Sequence, residues 1–299
     1  MDARKALDPR AFSLMLVLTA LWGFQQVAIK LTAPDVSLVM QAGLRTGLAA
    51  LLLLGWAAAR GTPLFSRDGT LAAGLGAGLL FGAEFVFIYA GLAHTAASRM
   101  VIFIYLAPVL TALGLHLWVP GERLARAQWL GVGVSFAGIA LAFGEGFARS
   151  RGSALGDACG VVAAALWAAT TVLIRASALS RASAAKTLFY QLGVATPLLL
   201  AASLALGERG VIHLTPLALA SLAYQGAIVA FASYLAWFWL LTRYLAARLA
   251  VFSFMTPLFG VLAGVLVLGE PLTASFAGAA LLVGAGIVLV NRRPAAPRS

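Results

Sequence analysis

The sequence is poor in charged residues, in acidic groups and in cysteine. Charged side chains make up 10% of its 299 residues, whereas a soluble domain carries about 25% because its surface must be polar. An ordinary soluble domain is therefore excluded. The single cysteine, Cys159, lies inside an apolar run, which excludes a disulfide framework and a cysteine-based zinc site.

The side chains that enzymes need are also missing. The ten acidic residues are dispersed without metal-ligand spacing, and no Gly-Lys-Ser motif is present that would bind ATP. No nucleophile stands in a recognisable pattern with a base. We therefore predict that the protein is not an enzyme and that it has no catalytic residue, no cofactor and no metal.

Long hydrophobic runs fill most of the chain. Hydrophobic residues make up 62% of it, and the mean hydropathy is +0.96. A helix needs about 20 apolar residues to cross the hydrocarbon core of a bilayer. We predict an all-α integral membrane protein with ten transmembrane helices, at residues 11–30, 37–58, 71–92, 99–119, 127–144, 154–175, 186–206, 217–241, 248–268 and 274–291.

Basic residues outnumber acidic ones by 21 to 10, which gives a net charge of +11. They lie almost entirely in the short gaps between the apolar runs, where positive charge favours the cytoplasmic side. If the N-terminus is cytoplasmic, 15 basic residues fall inside, Arg45 lies within the membrane, and five fall outside: Lys30, Arg99, Arg149, Arg151 and Arg209. We therefore predict that both termini are cytoplasmic. Topology explains the charge, so no nucleic-acid partner is expected.

The two halves of the chain resemble each other. Ala-Leu-Trp at 20–22 recurs at 165–167, and Pro108 recurs at Pro257 with matching Arg and Phe residues before it. We predict two repeats, residues 1–147 and 148–299, which form one transmembrane domain. Because each repeat holds five spans, an odd number, the second crosses the membrane in the opposite sense. Inverted repeats are typical of secondary transporters, whose substrate site lies between the repeats.

These features resemble the EamA family of the drug/metabolite transporter superfamily over nearly the whole chain. The resemblance rests on the Leu-Trp pairs, the two prolines, and the Gly-Glu pairs that end at Glu122 and Glu270. It implies a multi-pass protein of the bacterial inner membrane, surrounded by lipid, that exports a small molecule. Within the family the similarity is greatest to exporters of aromatic amino acids, which implies substrates such as phenylalanine, tyrosine and tryptophan.

Pro108 and Pro257 lie in the middle of predicted helices. Proline removes a helical hydrogen bond and kinks the helix, and paired interruptions in two repeats indicate a transport site or a hinge. A fixed structural kink is the alternative. The aromatic residues Tyr105 and Phe254 precede the two prolines by three residues and are candidates to line a cavity.

Two ionisable residues, Arg45 and Glu84, lie deep in spans 2 and 3. Burying a charge in a membrane is costly, so such residues suggest a function. At 1.5 Å per residue both lie at a similar depth, and we interpret them as a possible buried ion pair. Two alternatives stay open: Glu84 carries a proton, or Arg45 binds a substrate carboxylate. The second half has no matching pair.

Further candidates for a cavity are aromatic or polar. Trp22 and Trp167 lie near mid-span, although tryptophan usually gathers at the membrane surface; they either line a cavity or fill space between helices. Gln26 lies one turn after Trp22, on the same helical face. The complete set of predicted cavity residues is Trp22, Gln26, Phe85, Tyr105, Trp167, Thr171, Tyr234, Trp237 and Phe254.

We therefore predict a carrier that alternates access to a central cavity between the repeats and that facilitates efflux of aromatic amino acids. Other amino acids, drugs or amphipathic metabolites are alternative substrates, and coupling to protons through Glu84 is an alternative mechanism. A channel is a different class of function, less suited to paired kinks in inverted repeats. A monomer is expected, because packing within the chain explains the glycines at 74, 78 and 82.

Overall fold

A computed structural model describes residues 6–150 and 153–292. Nine helices within these residues are long and apolar enough to cross a membrane. They are α1 (Pro9–Thr32), α2 (Leu38–Ala59), α3 (Leu71–Leu92), α4 (Ala97–Trp118), α5 (Arg126–Arg149), α6 (Ala154–Ala176), α7 (Ala184–Ala205), α8 (Pro216–Arg243) and α9 (Ala246–Leu268). Five basic residues used in the topology prediction lie outside the described residues: Arg4, Lys5, Arg151, Arg293 and Arg298.

The last apolar helix, α10 (Ser275–Asn291), has 17 residues. At 1.5 Å per residue it is about 26 Å long, a little less than the hydrocarbon thickness of about 30 Å. Nine of the ten predicted spans therefore correspond to helices of sufficient length, and the tenth stays a prediction.

Polar residues fix where several helices begin. Asp8 accepts a hydrogen bond of 2.9 Å from the amide of Ala11, and Pro9 occupies the first helical position of α1. The hydroxyls of Ser153, Ser183 and Thr215 accept in the same way from amides in the first turns of α6, α7 and α8. These caps satisfy amides that have no partner within the helix.

Helices α4 and α9 are interrupted just before their prolines. The first part of α4 ends at Ile104 and the second begins at Ala107, while α9 passes through a 3₁₀ turn at Val251–Phe254. Proline has no N–H to donate to the carbonyl four residues earlier, and its ring crowds that carbonyl. The predicted interruptions are therefore present at Pro108 and Pro257. Whether they bend during transport is a separate question.

Helix α8 contains a π-helical segment at Tyr224–Ser233, between α-helical parts at Pro216–Ala223 and Tyr234–Arg243. The sequence did not predict this irregularity. Such segments are rare and often occur at functional sites.

The two halves pack closely through small residues. A β-carbon added at Gly78 of α3 would lie 2.6 Å from the backbone oxygen of Tyr190 in α7, and one at Gly82 would lie 2.6 Å from Leu198. Likewise, a β-carbon at Gly131 of α5 would lie 2.7 Å from the carbonyl oxygen of Gly286 in α10. Packing within the chain accounts for the glycine stripe on α3.

Candidate functional site

A row of aromatic side chains joins α1, α3 and α8. The ring of Trp22 meets Trp237 and Tyr234 edge-on, with centroid separations of 5.8 and 6.2 Å. Tyr234 in turn meets Phe81 at 6.1 Å, and Phe81 meets Phe85 at 5.2 Å. These edge-to-face arrangements are favourable for aromatic rings.

Polar contacts hold this row in place. The indole Nε1 of Trp22 donates a hydrogen bond of 2.9 Å to the hydroxyl of Ser233. That hydroxyl also donates to the carbonyl of Val229, in the π-helical segment of α8. Trp22 is therefore fixed against the opposite half of the chain at both its ring and its N–H group.

A second aromatic group joins α4, α6 and α9. Tyr105 meets Trp167 at a centroid separation of 6.2 Å and Phe254 at 6.4 Å, and Phe254 meets Phe136 of α5 at 6.5 Å. Tyr105 lies in the interruption of α4, and Phe254 lies in the 3₁₀ turn of α9. The paired prolines thus bring aromatic residues of both halves together.

Arg45 and Glu84 are buried, with 2% and 6% of their surface exposed. The five ion pairs among the described residues do not include one between them. Instead, the guanidinium carbon of Arg45 lies 4.7 Å from the centre of the Phe85 ring. The predicted direct ion pair is therefore not formed in this structure.

Glu84 and Arg45 lie beside the first aromatic group. Glu84 precedes Phe85 by one residue in α3, and the Phe85 ring lies 4.7 Å from the guanidinium carbon of Arg45. A buried acid and a buried base are thus placed next to the aromatic row. Such a mixture of apolar surface and a few polar groups is typical of sites for small molecules.

The remaining predicted residues are placed differently. Gln26 is exposed, whereas its neighbour Gln25 is buried and its Nε2 has no hydrogen-bond partner among the described residues. Thr171 donates to the carbonyl of Trp167 at 3.5 Å, within its own helix. Sequence spacing alone does not determine which of the two glutamines faces inward, and the place of Thr171 in a cavity stays a prediction.

Phe81 and Tyr89 belong to the first aromatic group, although sequence reasoning missed them. Tyr89 stacks on Phe85 with centroids 6.4 Å apart. Phe81, Phe85 and Tyr89 are four residues apart and so share one face of α3. That spacing was the signal that could have identified them.

One end of the molecule is closed by a buried ion pair. Glu122, which follows α4, pairs with Arg175 at the end of α6, and their side chains are 1% and 2% exposed. The Glu122 carboxylate also accepts hydrogen bonds of 3.0 and 3.1 Å from the amides of Ala246 and Ala247, which begin α9. A small pocket lies at this end, beside Arg175 and Phe238.

The ion pair at the equivalent positions of the repeats is exposed. Lys30 and Glu270 correspond in the repeat to Arg175 and Glu122, and their side chains are 66% and 42% exposed. Of these two repeat-related ion pairs, the one at one end of the molecule is therefore buried, and the one at the other end is exposed.

A protein-family model matches the chain twice, over residues 10–144 and again over residues 154–292, and its description is "EamA-like transporter family". The chain belongs to this family. As a member of the EamA-like transporter family it is a multi-pass membrane transporter and not an enzyme. Among the described residues, no group of three or more His, Cys, Asp or Glu side chains is arranged to hold a metal ion.

Several curated proteins are similar over almost their full length. An uncharacterized transporter of Bacillus subtilis, YvbV, is 26% identical over 294 residues, which cover 97% of this chain and 94% of YvbV. A probable amino-acid metabolite efflux pump of Salmonella typhimurium is 25% identical over 283 residues, covering 92% of this chain and 93% of the pump. The pump of the same description from Escherichia coli is 25% identical over 278 residues, covering 90% and 91%.

A solved crystal structure has the same fold. It superposes with a TM-score of 0.79 and covers 95% of this chain and 96% of its own, at 22% sequence identity. At that identity the similarity concerns the fold alone. This EamA-like transporter therefore shares its fold with a solved structure.

Proposed function

We propose that this transporter exports aromatic amino acids across the bacterial inner membrane, with both termini in the cytoplasm. Two similar proteins described as probable amino-acid metabolite efflux pumps support the amino-acid class. The resemblance of the sequence to exporters of aromatic amino acids favours the narrower choice.

The observation that carries the proposal is the aromatic row of Trp22, Tyr234 and Phe81 beside the buried charges of Arg45 and Glu84. Aromatic walls favour aromatic solutes, because rings in edge-to-face or offset contact gain energy beyond the burial of their area. The charges offer the polar groups that would orient a zwitterion.

We propose alternating access as the mechanism, with inverted repeats rocking around the central residues. The buried Glu122–Arg175 pair and the exposed Lys30–Glu270 pair support a state closed at the predicted cytoplasmic end and open at the other. The interruptions before Pro108 and Pro257 offer places where the helices can bend.

Facilitated efflux suffices energetically. A zwitterion carries no net charge, so the membrane potential does little work on it, and a concentration gradient can drive its export. Proton antiport is the second candidate, because Glu84 is a buried acid that no described residue pairs directly. A channel-like pore would conduct without the saturation and exchange that a carrier shows.

Counterflow of labelled phenylalanine in liposomes tests the proposal. Tryptophan should inhibit the exchange, while alanine, lysine and an unrelated hydrophobic cation should not. Linear, non-saturating flux would favour a pore instead. Inhibition by the cation but not by tryptophan would replace aromatic amino acids with drugs as substrates.

A pH gradient imposed in the same liposomes separates the two mechanisms. Indifference to the gradient supports facilitated efflux. Stimulation by the gradient that disappears in the Glu84→Gln variant, while exchange itself persists, would establish proton coupling.

A further inference from the structure

We propose that Arg45 and Glu84 bind the two charged ends of one zwitterionic substrate, Arg45 the α-carboxylate and Glu84 the α-ammonium group. This inference rests on the proposed function and specifies which substrates fit the same site: α-amino acids with both charged groups free. A compound that carries only one of the two charged groups would be a poor substrate.

The first argument is that the guanidinium of Arg45 lacks partners. Its Nε and Nη2 atoms are buried and have no hydrogen-bond partner among the described residues. Burying such donors unpaired is costly. Two other buried cations pair with carboxylates, Arg175 with Glu122 and Lys186 with Asp68, whereas the buried Arg248 also has two nitrogens without a hydrogen-bond partner among the described residues. A substrate carboxylate would satisfy Arg45 with two parallel hydrogen bonds, which its planar fork favours.

The second argument is that Glu84 also lacks direct partners. Only 6% of the surface of Glu84 is exposed. Even so, no donor among residues 6–150 and 153–292 forms a hydrogen bond or an ion pair with its carboxylate. A carboxylate in this state is a ready acceptor for an ammonium group. It lies in α3, one residue before Phe85, whose ring faces the Arg45 guanidinium.

The third argument is charge balance. Arg45 and Glu84 are both buried, and when both are ionised their charges are opposite, so the pair has no net charge. A zwitterion can satisfy both groups and keep the site neutral. An amine alone would leave the Arg45 donors unpaired, and a carboxylic acid alone would leave Glu84 unpaired beside a new negative charge.

The surrounding residues place the side chain of such a substrate. The guanidinium of Arg45 lies 4.7 Å from the centre of the Phe85 ring, and Glu84 precedes Phe85 in α3. The Phe85 ring meets Phe81, which in turn meets Tyr234 of the aromatic row. The two charges therefore lie at the edge of the aromatic row. A bound amino acid would point its side chain into that row and its charged groups toward α2 and α3.

The test measures how well three compounds inhibit counterflow of labelled phenylalanine by the wild-type protein. They are unlabelled phenylalanine, phenethylamine, which lacks the carboxylate, and 3-phenylpropionate, which lacks the ammonium group. Each analogue should inhibit at least about tenfold more weakly than phenylalanine. This is the loss of affinity expected when one hydrogen bond to a charged group is missing. An analogue that inhibits as well as phenylalanine would overturn the inference without any variant being made.

Two variants then assign each charge to its residue. In Arg45→Gln, unlabelled phenylalanine should inhibit only about as well as phenethylamine does, while 3-phenylpropionate should still inhibit more weakly than phenylalanine. In Glu84→Gln, phenylalanine should inhibit only about as well as 3-phenylpropionate does, while phenethylamine should still inhibit more weakly than phenylalanine. Arg60→Gln, at the residue that follows the helix of Arg45, and Glu145→Gln, an exposed acid, are controls and should keep the wild-type order of inhibition.

The outcomes separate this inference from the function on which it rests. If the wild type exchanges phenylalanine but both variants keep the wild-type ranking of analogues, the inference fails and the aromatic amino-acid carrier stands. If the variants weaken all three compounds equally, Arg45 and Glu84 are structural and the inference fails as well. If folded wild-type protein exchanges no phenylalanine, both this inference and the proposed function are wrong.

Discussion

The rings of Tyr105 and Phe254 lie 6.4 Å apart, with their planes at 36° to one another. The two residues occupy equivalent positions in the repeat, each three residues before a proline. Each also lies where its helix is interrupted, Tyr105 between the parts of α4 and Phe254 in the 3₁₀ turn of α9. The irregular parts of the two halves therefore touch each other at the centre of the molecule.

If these interruptions bend during transport, restoring the helix should slow it. We expect Pro108→Ala and Pro257→Ala each to lower the rate of phenylalanine exchange several-fold, because alanine supplies the missing N–H and closes the break. Binding affinity should change much less than rate. Pro197→Ala is the matched control, since Pro197 lies within the continuous helix α7. Equal effects at all three prolines would show that the two kinks are fixed.

The buried and exposed ion pairs should differ in their contributions to stability. Glu122→Gln leaves the Arg175 guanidinium buried without its counter-charge, so the free energy of unfolding should fall by about 3–5 kcal/mol. Glu270→Gln removes a solvent-exposed pair and should cost about 1 kcal/mol or less. Denaturant unfolding in detergent measures both. Similar losses would contradict the view that only one end of the molecule is sealed.

The close packing of α3 on α7 gives a third prediction. A methyl group at Gly78 meets the backbone oxygen of Tyr190, which cannot move aside, so Gly78→Ala should destabilise the protein by about 1–3 kcal/mol. Gly55→Ala is the control, because nothing lies within 4 Å of its added β-carbon. That variant should be neutral or slightly stabilising. A Gly78→Ala protein of normal stability that loses a dimer on size exclusion would assign the glycine stripe to subunit contact.

Asp68 should make stability depend on acid pH. The Lys186 ammonium, 2.8 Å from its carboxylate, and the Thr70 hydroxyl hold the pKa of Asp68 well below the usual value of 3.8 for an aspartate. Because the folded-state pKa is lower than the unfolded one, this contribution is full above about pH 5 and disappears as the pH falls below 3.8. Asp68→Asn should therefore be less stable than wild type at pH 7, and the difference should shrink below pH 4. A difference that is constant with pH would contradict this.

Sequence reasoning located the helices and their breaks because these depend on local chemistry. Apolar runs of sufficient length produce helices such as α3, and the missing N–H of Pro108 interrupts α4 wherever that helix packs. The burial of Arg45 and Glu84 could also be predicted, since their neighbours along the chain are apolar.

Tertiary contacts could not be predicted in the same way. The hydrogen bond from Trp22 to Ser233 joins residues 211 positions apart, and it depends on how α1 and α8 pack. Arg45 was expected to meet Glu84, but its guanidinium lies over the Phe85 ring instead, which depth along a helix does not determine. The choice between Gln25 and Gln26 depends on the rotation of α1 about its axis, and a helix with polar residues on adjacent positions leaves that open.

The most direct test of the account is protection of a central residue by substrate. Tyr234→Cys, made in a Cys159→Ala background that retains counterflow, would be labelled with a membrane-permeant thiol reagent with and without phenylalanine. We expect phenylalanine and tryptophan to slow the labelling and alanine to leave it unchanged, with Leu214→Cys in the exposed loop before α8 unaffected throughout. Labelling at position 234 that is indifferent to phenylalanine, in protein that still exchanges it, would contradict the central claim that substrate passes the aromatic row.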